Sequence, residues 1–359
     1  MDTETRFSII KNVSEEIITE QELKALLETN EHPLAYDGFE PSGLAHLPFG
    51  IYRPLILKEL QKAGIRFILY LADWFAWVNN KMGGDLEKIR KVGEYFIEVW
   101  KAAGVKNVEY VWNSDIMDKE YWKKVILIAK ITSLKRTIRA MSIMGRIESE
   151  AQYTAQLFYP MMQVADVFQL RVDICQLGLD QRRANILARE VAEKFDWKKP
   201  VVVSHHMLMG LEGTKTPEGF DEDKLRDIEI SSKMSKSKPE TCIYVHDTKD
   251  KIVSKISKAF CPPKTTENNP VLEYVKFIIF PSFKEMKIER EKKFGGDIIF
   301  YSFNDLKIAY QKGELHPLDL KNAVAEYIDK LVTPIRDHFE KNPKAKQLLD
   351  IVKTQKITR

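Results

Sequence analysis

The stretch Ser231–Glu240 reads SSKMSKSKPE and sets Lys233 and Lys236 three residues apart among small hydroxyl residues. Lysines on flexible stems suit a polyanion that is held and then released. Read alone, the stretch is equally a solvated basic loop or an import-like basic patch. A second stretch, DGFEPSGLAHLPFG (37–50), ends a strand-like run and places His46 ahead of a helix. Pro48 fits a first helical turn, where a missing N–H costs nothing. Free N–H groups at a helix start attract an anion, and His46 adds a side-chain donor there; the alternative is an ordinary helix-start residue. In a third, FYPMMQVADVFQ (158–169), Tyr159, Gln163 and Asp166 stand at i, i+4 and i+7. At about 100° per residue they share one narrow stripe on an otherwise apolar helix. A polar stripe on a buried helix needs partners, either side chains or a ligand; otherwise the stripe faces water. The fourth, QLGLDQRR (176–183), follows a strand. Gly178 there allows close backbone approach, and Asp180 at a strand's carboxyl end can accept from ribose hydroxyls or simply cap the next helix.

These residues need elements to hold them. "LAYDGF" (34–39), "IRFILYLAD" (65–73), "NVEYVW" (107–112), "VDICQL" (172–177) and "PVVVSH" (200–205) read as strands. Helices at 49–64, closed by Gly64, at 85–104 and at 180–195 separate them, and 118–170 runs helical. That alternation predicts an open parallel sheet, doubly wound, with helices on both faces. From 248 onward the chain reads as helical, with "DIIFYS" (297–302) a doubtful strand. We place a boundary near 220–247. The tail 341–359 carries six Lys or Arg against Asp350 alone; charge by itself favours a solvated helix face over phosphate contact.

The 359 residues are 44% hydrophobic and 30% charged, with a net charge of +4. This is the balance of a globular enzyme of two or three domains, not of a disordered chain, and it permits a nucleic-acid partner without requiring one. Cys175, Cys242 and Cys261 form no CxxC pair, which argues against a zinc site or a disulfide framework and for a reducing compartment. The start, MDTETRFSIIKNVSEE, lacks a signal pattern, and "FILYLADWFAWV" is too short to span a bilayer. A cytoplasmic protein with no membrane partner is expected.

Taken together, KMSKS (233–237) and a His46 motif at the first strand–helix junction form the paired signature of class I aminoacyl-tRNA synthetases. "YDGFEPSG", "YPMMQVADV" and "GLDQR" resemble the tyrosyl branch of archaeal and eukaryotic type. "CPP", "KFGGD" and "ELHPLDLKNAVAE" are similar to its anticodon-binding region. The resemblance covers roughly residues 5 to 340. It departs from the usual His-x-Gly-His, which reads HLPF here, with Pro48 for Gly and Phe49 for the second His.

The resemblance implies a Rossmann-like catalytic domain over 1–230, containing a helical dimer-interface insertion near 115–155. It further implies a lysine loop and linker at 231–247 and a mostly helical anticodon-binding domain at 248–359. It implies tyrosine activation by ATP with Mg2+, transfer to tRNA(Tyr), and a homodimer. The phenol would lie between Tyr36 and Asp166, and the amino group near Tyr159, Gln163 and Gln181 with Glu40 close by. Tyr70, Ala72 and Phe75 would line the pocket. Gly178 and Asp180 would hold the ribose, with Gly38, Ser42, Phe49 and Met234 also at the nucleotide. His46, Lys233, Ser235 and Lys236 would meet the phosphates. Arg139 and Arg182 would meet the acceptor stem, and Phe277, His316 and Asp319 the anticodon, although Phe277 reads by itself as core packing. No residue is assigned to a metal. "MSIMGRIES" (141–149) suits an interface or a core. The competing readings are a tryptophanyl enzyme and a catalytically silent RNA-binding paralogue, the latter favoured by HLPF.

Overall fold

Side-chain alternation along the strand Leu34–Phe39 divides the molecule into layers. The computed structural model describes residues 1–146 and 153–354. In it β1 (Glu16–Ile18), β2 (Leu34–Phe39), β3 (Arg66–Leu71), β4 (Val108–Trp112), β5 (Ile174–Gly178) and β6 (Val201–His205) form one sheet. Their spatial order is β1-β6-β5-β2-β3-β4. Strands β2 to β6 pair in parallel, with Tyr36 opposite Ile68 and Cys175, and Gly38 opposite Tyr70. Successive side chains point to opposite faces. Tyr36, Ile68, Tyr70, Cys175 and Leu177 therefore enter one apolar core, under the helices Lys119–Ile131, Phe158–Gln169 and Arg182–Phe195. Ala35, Phe67, Leu69, Ile174 and Val203 enter the other.

The expected open parallel sheet is present, with one antiparallel strand added at its edge. β1 runs antiparallel on the β6 edge, Ile17 opposite Val203. Three residues, Glu-Ile-Ile, are too few to display alternation, so this strand left no trace in the pattern. The doubtful run at 297–302 does hold a strand, β8 (Ile298–Phe300), paired antiparallel with β7 (Met286–Ile288). The segment Met-Lys-Ile of β7 was likewise too short to recognise.

Helix ends follow local chemistry. Pro48 opens a wide turn, Pro48–Tyr52, that feeds the helix Arg53–Lys62. Gly64, at φ +83°, turns the chain into β3. Asp85 caps Leu86–Ala102 by accepting from the N–H groups of Glu87 and Lys88. The C-terminal half comprises the helices Lys249–Ser257, Pro270–Tyr274, Phe303–Lys312, Pro317–Lys341 and Pro343–Lys353 with the β7–β8 hairpin. The last of these buries Ala345, Leu348, Leu349 and Val352 and packs on Leu86–Ala102. Lys344, Lys346 and Lys353 stay exposed on it, the solvated face expected of the basic tail, whose residues 355–359 lie outside the described residues. Among the described residues no helix is long and apolar enough to cross a membrane.

Candidate active site

The helix Phe158–Gln169 is buried from Tyr159 to Val167, so its polar stripe has to be satisfied inside the protein. Asp166 is 1% exposed. Its Oδ1 accepts from Tyr70 Oη at 2.6 Å, from Tyr121 Oη at 3.0 Å and, at 3.5 Å, from Asn113 Nδ2. Asn113 also donates to Tyr70 Oη at 2.5 Å. Burial pushes the Asp166 carboxyl well above the usual carboxylate range, and the donors from Tyr70 and Tyr121 pull it back. Burial likewise raises both phenols well above their ordinary value, which keeps them as donors. The three bonds converge on Oδ1 and leave Oδ2 for the cleft that Asp166 lines. Across that cleft Tyr36 is 2% exposed, and its hydroxyl has no partner among the described residues. A buried hydroxyl left unpaired costs about 1–3 kcal/mol. An unpaired donor and a free carboxylate oxygen in one apolar pocket therefore call for a ligand bearing a hydroxyl.

Next to this end lies a second polar group. Tyr159 Oη donates to Glu40 Oε1 at 2.6 Å, and Asn79 Nδ2 reaches both Glu40 oxygens at 3.0 and 3.1 Å. Gln163 Nε2 donates to Gln181 Oε1 at 3.1 Å, and Gln181 donates to the Ile143 carbonyl at 3.0 Å. Glu40, Gln163 and Gln181 all line the cleft, and their oxygens offer acceptors to a small cation such as an amino group. Phe75 packs edge-on to Tyr159, ring centroids 4.7 Å apart.

The far end of the cleft faces the lysine motif. Lys233 Nζ sits 2.6 Å from Asp180 Oδ2, and Lys236 Nζ donates to Ser42 Oγ at 2.9 Å and lies over the Phe96 ring. Asp180, expected to receive a ribose, is thus occupied by a lysine here. Gly178 is tight: a Cβ there would fall 2.5 Å from Asp180 Oδ1 and 2.6 Å from Met207 Sδ. Met234 is buried, and its N–H donates to the Leu208 carbonyl at 2.7 Å. Ser235 and Ser237 hydroxyls are 2.8 Å apart. His46 lies at the cleft wall with Nδ1 buried and, among the described residues, unpartnered. Burial first, then the Lys236 and Lys233 charges, hold its imidazole well below its ordinary pKa. It therefore meets an anion as a neutral ring with one N–H.

All the residues assigned from the sequence to tyrosine, to ATP and to the lysine loop line this single cleft of about 950 Å³. Phe49, however, commits its ring to Phe39, Phe96 and Trp100, with the Phe96 centroid at 4.2 Å, so it serves as wall more than as a ligand contact. The five residues assigned to tRNA lie elsewhere. Arg139 pairs with Glu222, and Arg182 with Glu16 at 2.8 Å. His316 caps the helix Pro317–Lys341 by accepting from Leu318 N–H at 3.1 Å, with Asp319 in its first turn. Phe277 does not join them. Its ring stacks on His206 at 4.6 Å under Lys276 and meets Tyr52 edge-on, which is the packing role, not an open base platform.

Sequence reasoning missed Asn113 and Tyr121, which hold Asp166, and the polar group beneath the cleft. There Arg53 contacts Asp37 and His205, and its Nη2 donates to Gln176 Oε1 at 3.0 Å. Asn113 had a usable signal, since it stands directly after a strand, much as Asp180 stands two residues after one. Tyr121 had none. The expected interface segment divides: Met141, Ile143 and Met144 are buried in the subunit's own core, and residues 147–152 lie outside the described residues.

Residues 28–333 match the family model for class I tRNA synthetases (W and Y). The chain is 44% identical to tyrosine–tRNA ligase 1, cytoplasmic, of Arabidopsis thaliana, over all of this chain and 90% of that protein. It is 42% identical to the tyrosine–tRNA ligase of Thermococcus kodakarensis, covering both chains completely. Its fold is similar to that of tyrosyl-tRNA synthetase from Pyrococcus horikoshii in complex with L-tyrosine. The TM-score is 0.89 and the identity 41%, over 98% of this chain and 100% of that one.

Proposed function

Because the chain belongs to the class I tRNA synthetases, in their tyrosyl branch of archaeal and eukaryotic type, we propose that its cleft joins tyrosine to ATP and passes the tyrosyl group to tRNA. It is a tyrosine–tRNA ligase. The observation that carries the substrate assignment is the pair of the unpartnered Tyr36 hydroxyl and the free oxygen of Asp166. A phenol can donate to Asp166 Oδ2 and accept from Tyr36. An indole offers an N–H and no acceptor, so it would leave Tyr36 unpaired.

In this reading Glu40, Tyr159, Gln163 and Gln181 hold the amino group and aim the carboxylate at the α-phosphorus of ATP. The carboxylate oxygen forms the new P–O bond as pyrophosphate leaves with the electrons of the broken one. No covalent link to the protein is needed, so catalysis is positioning plus stabilisation of phosphate charge. Gly178, Asp180, Met234, Gly38 and Ser42 take the nucleotide, and the ribose hydroxyls displace Lys233 from Asp180. Lys233, Ser235 and Lys236 then close on the pyrophosphate, and His46 donates its one N–H to the phosphates. The terminal ribose hydroxyl of tRNA next attacks the acyl carbon and releases AMP.

The cleft's four sheltered carboxylates are engaged: Asp37 by Arg53, Glu40 by Tyr159, Asp166 by Tyr70 and Asp180 by Lys233. With each already partnered by a side chain, Mg2+ fits as an ion that arrives on the ATP phosphates and neutralises part of their charge.

The same reading assigns 1–230 to catalysis, 231–247 to the lysine loop and linker, and 248–359 to the anticodon. Arg139 and Arg182 would exchange their carboxylate partners for acceptor-stem phosphates, and exposed His316 with Asp319 would read an unstacked base. Exposed Ile126 and Leu134 support a homodimer through the 115–155 region. The cytoplasmic Arabidopsis relative supports a cytoplasmic location.

The test is isotope exchange between pyrophosphate and ATP without tRNA. Tyrosine supports it; if tryptophan does instead, the substrate is wrong, and if neither does, the chain is a silent paralogue. Two further results are expected. Burial lowers the Lys236 ammonium to about 8. The charged form that meets phosphate is therefore lost as pH rises through that value, so kcat/KM for ATP falls above pH 8. In Lys236→Arg, whose guanidinium stays charged, that fall disappears. Asp319→Ala leaves tyrosine-dependent exchange intact and weakens tRNA charging; an equal fall in both steps would refute its placement at the anticodon.

A further inference from the structure

Between β6 and the lysine motif, Met207–Leu211 runs antiparallel to the motif itself. Met234 N–H donates to the Leu208 carbonyl at 2.7 Å and Gly210 N–H to the Ser232 carbonyl at 2.9 Å, so Met209 faces Lys233 across a bridge. In such a non-hydrogen-bonded pair the residue's own N–H and C=O point away from its neighbour. For Met209 they point into the C-terminal half. Glu273 Oε1 accepts its N–H at 2.6 Å, and Tyr274 Oη donates to its carbonyl at 2.6 Å. Two consecutive residues of one short helix thus satisfy both backbone groups of the residue facing Lys233. Tyr274 is fully buried, and the Glu273 side chain is 11% exposed. The Glu273 charge is met by His206, whose Nε2 lies 3.1 Å away, though off the line of a good hydrogen bond, and whose Nδ1 lies 2.9 Å from Glu229. Glu229 is on the helix Lys224–Ser232 that leads into the motif. Burial opposes a charge on His206, but the two carboxylates outweigh it and push the ring up to about 10. The imidazolium therefore ties the start of the motif to the same Glu273.

We propose that Glu273 and Tyr274 are positioning residues for the lysine loop. They fix Met209, and Met209 fixes the backbone of Lys233, so the C-terminal half sets where the loop's first cation stands. The inference rests on the reading of Lys233 as a phosphate-binding group, and the test separates the two.

Tyr274→Phe removes one hydroxyl and keeps the ring. We expect the maximal rate of tyrosine-dependent exchange to fall on the order of tenfold, as for one lost buried hydrogen bond, with KM for tyrosine unchanged. In a Lys233→Ala background the same substitution should change the rate by less than about twofold, because the group it positions is gone. Glu273→Ala should behave like Tyr274→Phe. Glu273→Gln, which still offers an oxygen to Met209 N–H, should recover most of the rate. If Lys233→Ala alone costs nothing, the phosphate role of the loop fails. If Lys233→Ala is costly and Tyr274→Phe adds its full effect to it, or raises KM for tyrosine in step, the positioning role is overturned. Should Tyr274→Phe fail to fold, the Glu273→Ala and Glu273→Gln pair in both backgrounds decides the matter by the same criterion.

Discussion

Asp166→Asn lowers kcat/KM for tyrosine by about two orders of magnitude, roughly 3 kcal/mol, the upper end for a buried polar group left without its partner. The asparagine oxygen still receives Tyr70 and Tyr121, which hold Oδ1 in the native protein at 2.6 and 3.0 Å. Its amide then points where Oδ2 stood, and a donor meets the phenol's own O–H. Phenylalanine, which never used that oxygen, loses less, so discrimination between the two amino acids narrows. Tyrosine enzymes of this kind are the standard case of a polar site rejecting the substrate that lacks a hydroxyl. Exchange kinetics with both amino acids measure the effect. A mutant that keeps full tyrosine kcat/KM would show that the phenol binds elsewhere.

Lys236→Ala slows adenylate formation by about 3 kcal/mol, on the order of a hundredfold, as expected for removing one preorganised charge from a transition state. Its ammonium contacts Ser42 and lies 5.5 Å from the Phe96 ring centroid, at the opposite end of the cleft from Asp166. Tyrosine affinity should therefore hold while the rate falls. Single-turnover adenylate formation and equilibrium tyrosine binding separate the two quantities. Equal rates in mutant and native protein would remove Lys236 from the chemistry.

Much of this site could be read from local pattern, and the reasons are physical. Tyr159, Gln163 and Asp166 declared themselves because a helix that is apolar nearly all round cannot bury a polar stripe without a purpose. Gly178 and Asp180 were visible because a strand's carboxyl end in a doubly wound sheet is where ligands sit. What stayed hidden depends on distance in sequence. Tyr121 reaches Asp166 across 45 residues, and no periodicity marks the contact. The pairing of Lys233 with Asp180 joins groups to which the sequence gives separate partners, and only the folded chain shows each satisfying the other. β1 was lost to brevity, and its antiparallel place at the sheet edge is a tertiary choice that three residues cannot announce. Phe277 is the converse case: family likeness places it at the anticodon, while its ring stacks on His206.

A crystal of the protein soaked with tyrosine tests the central claim most directly. The account predicts the ligand's hydroxyl within hydrogen-bond distance of both Tyr36 Oη and Asp166 Oδ2, with Tyr70 and Tyr121 still on Oδ1. Tyrosine bound with its ring reversed, or seated outside the cleft between Asp166 and Lys236, would contradict it.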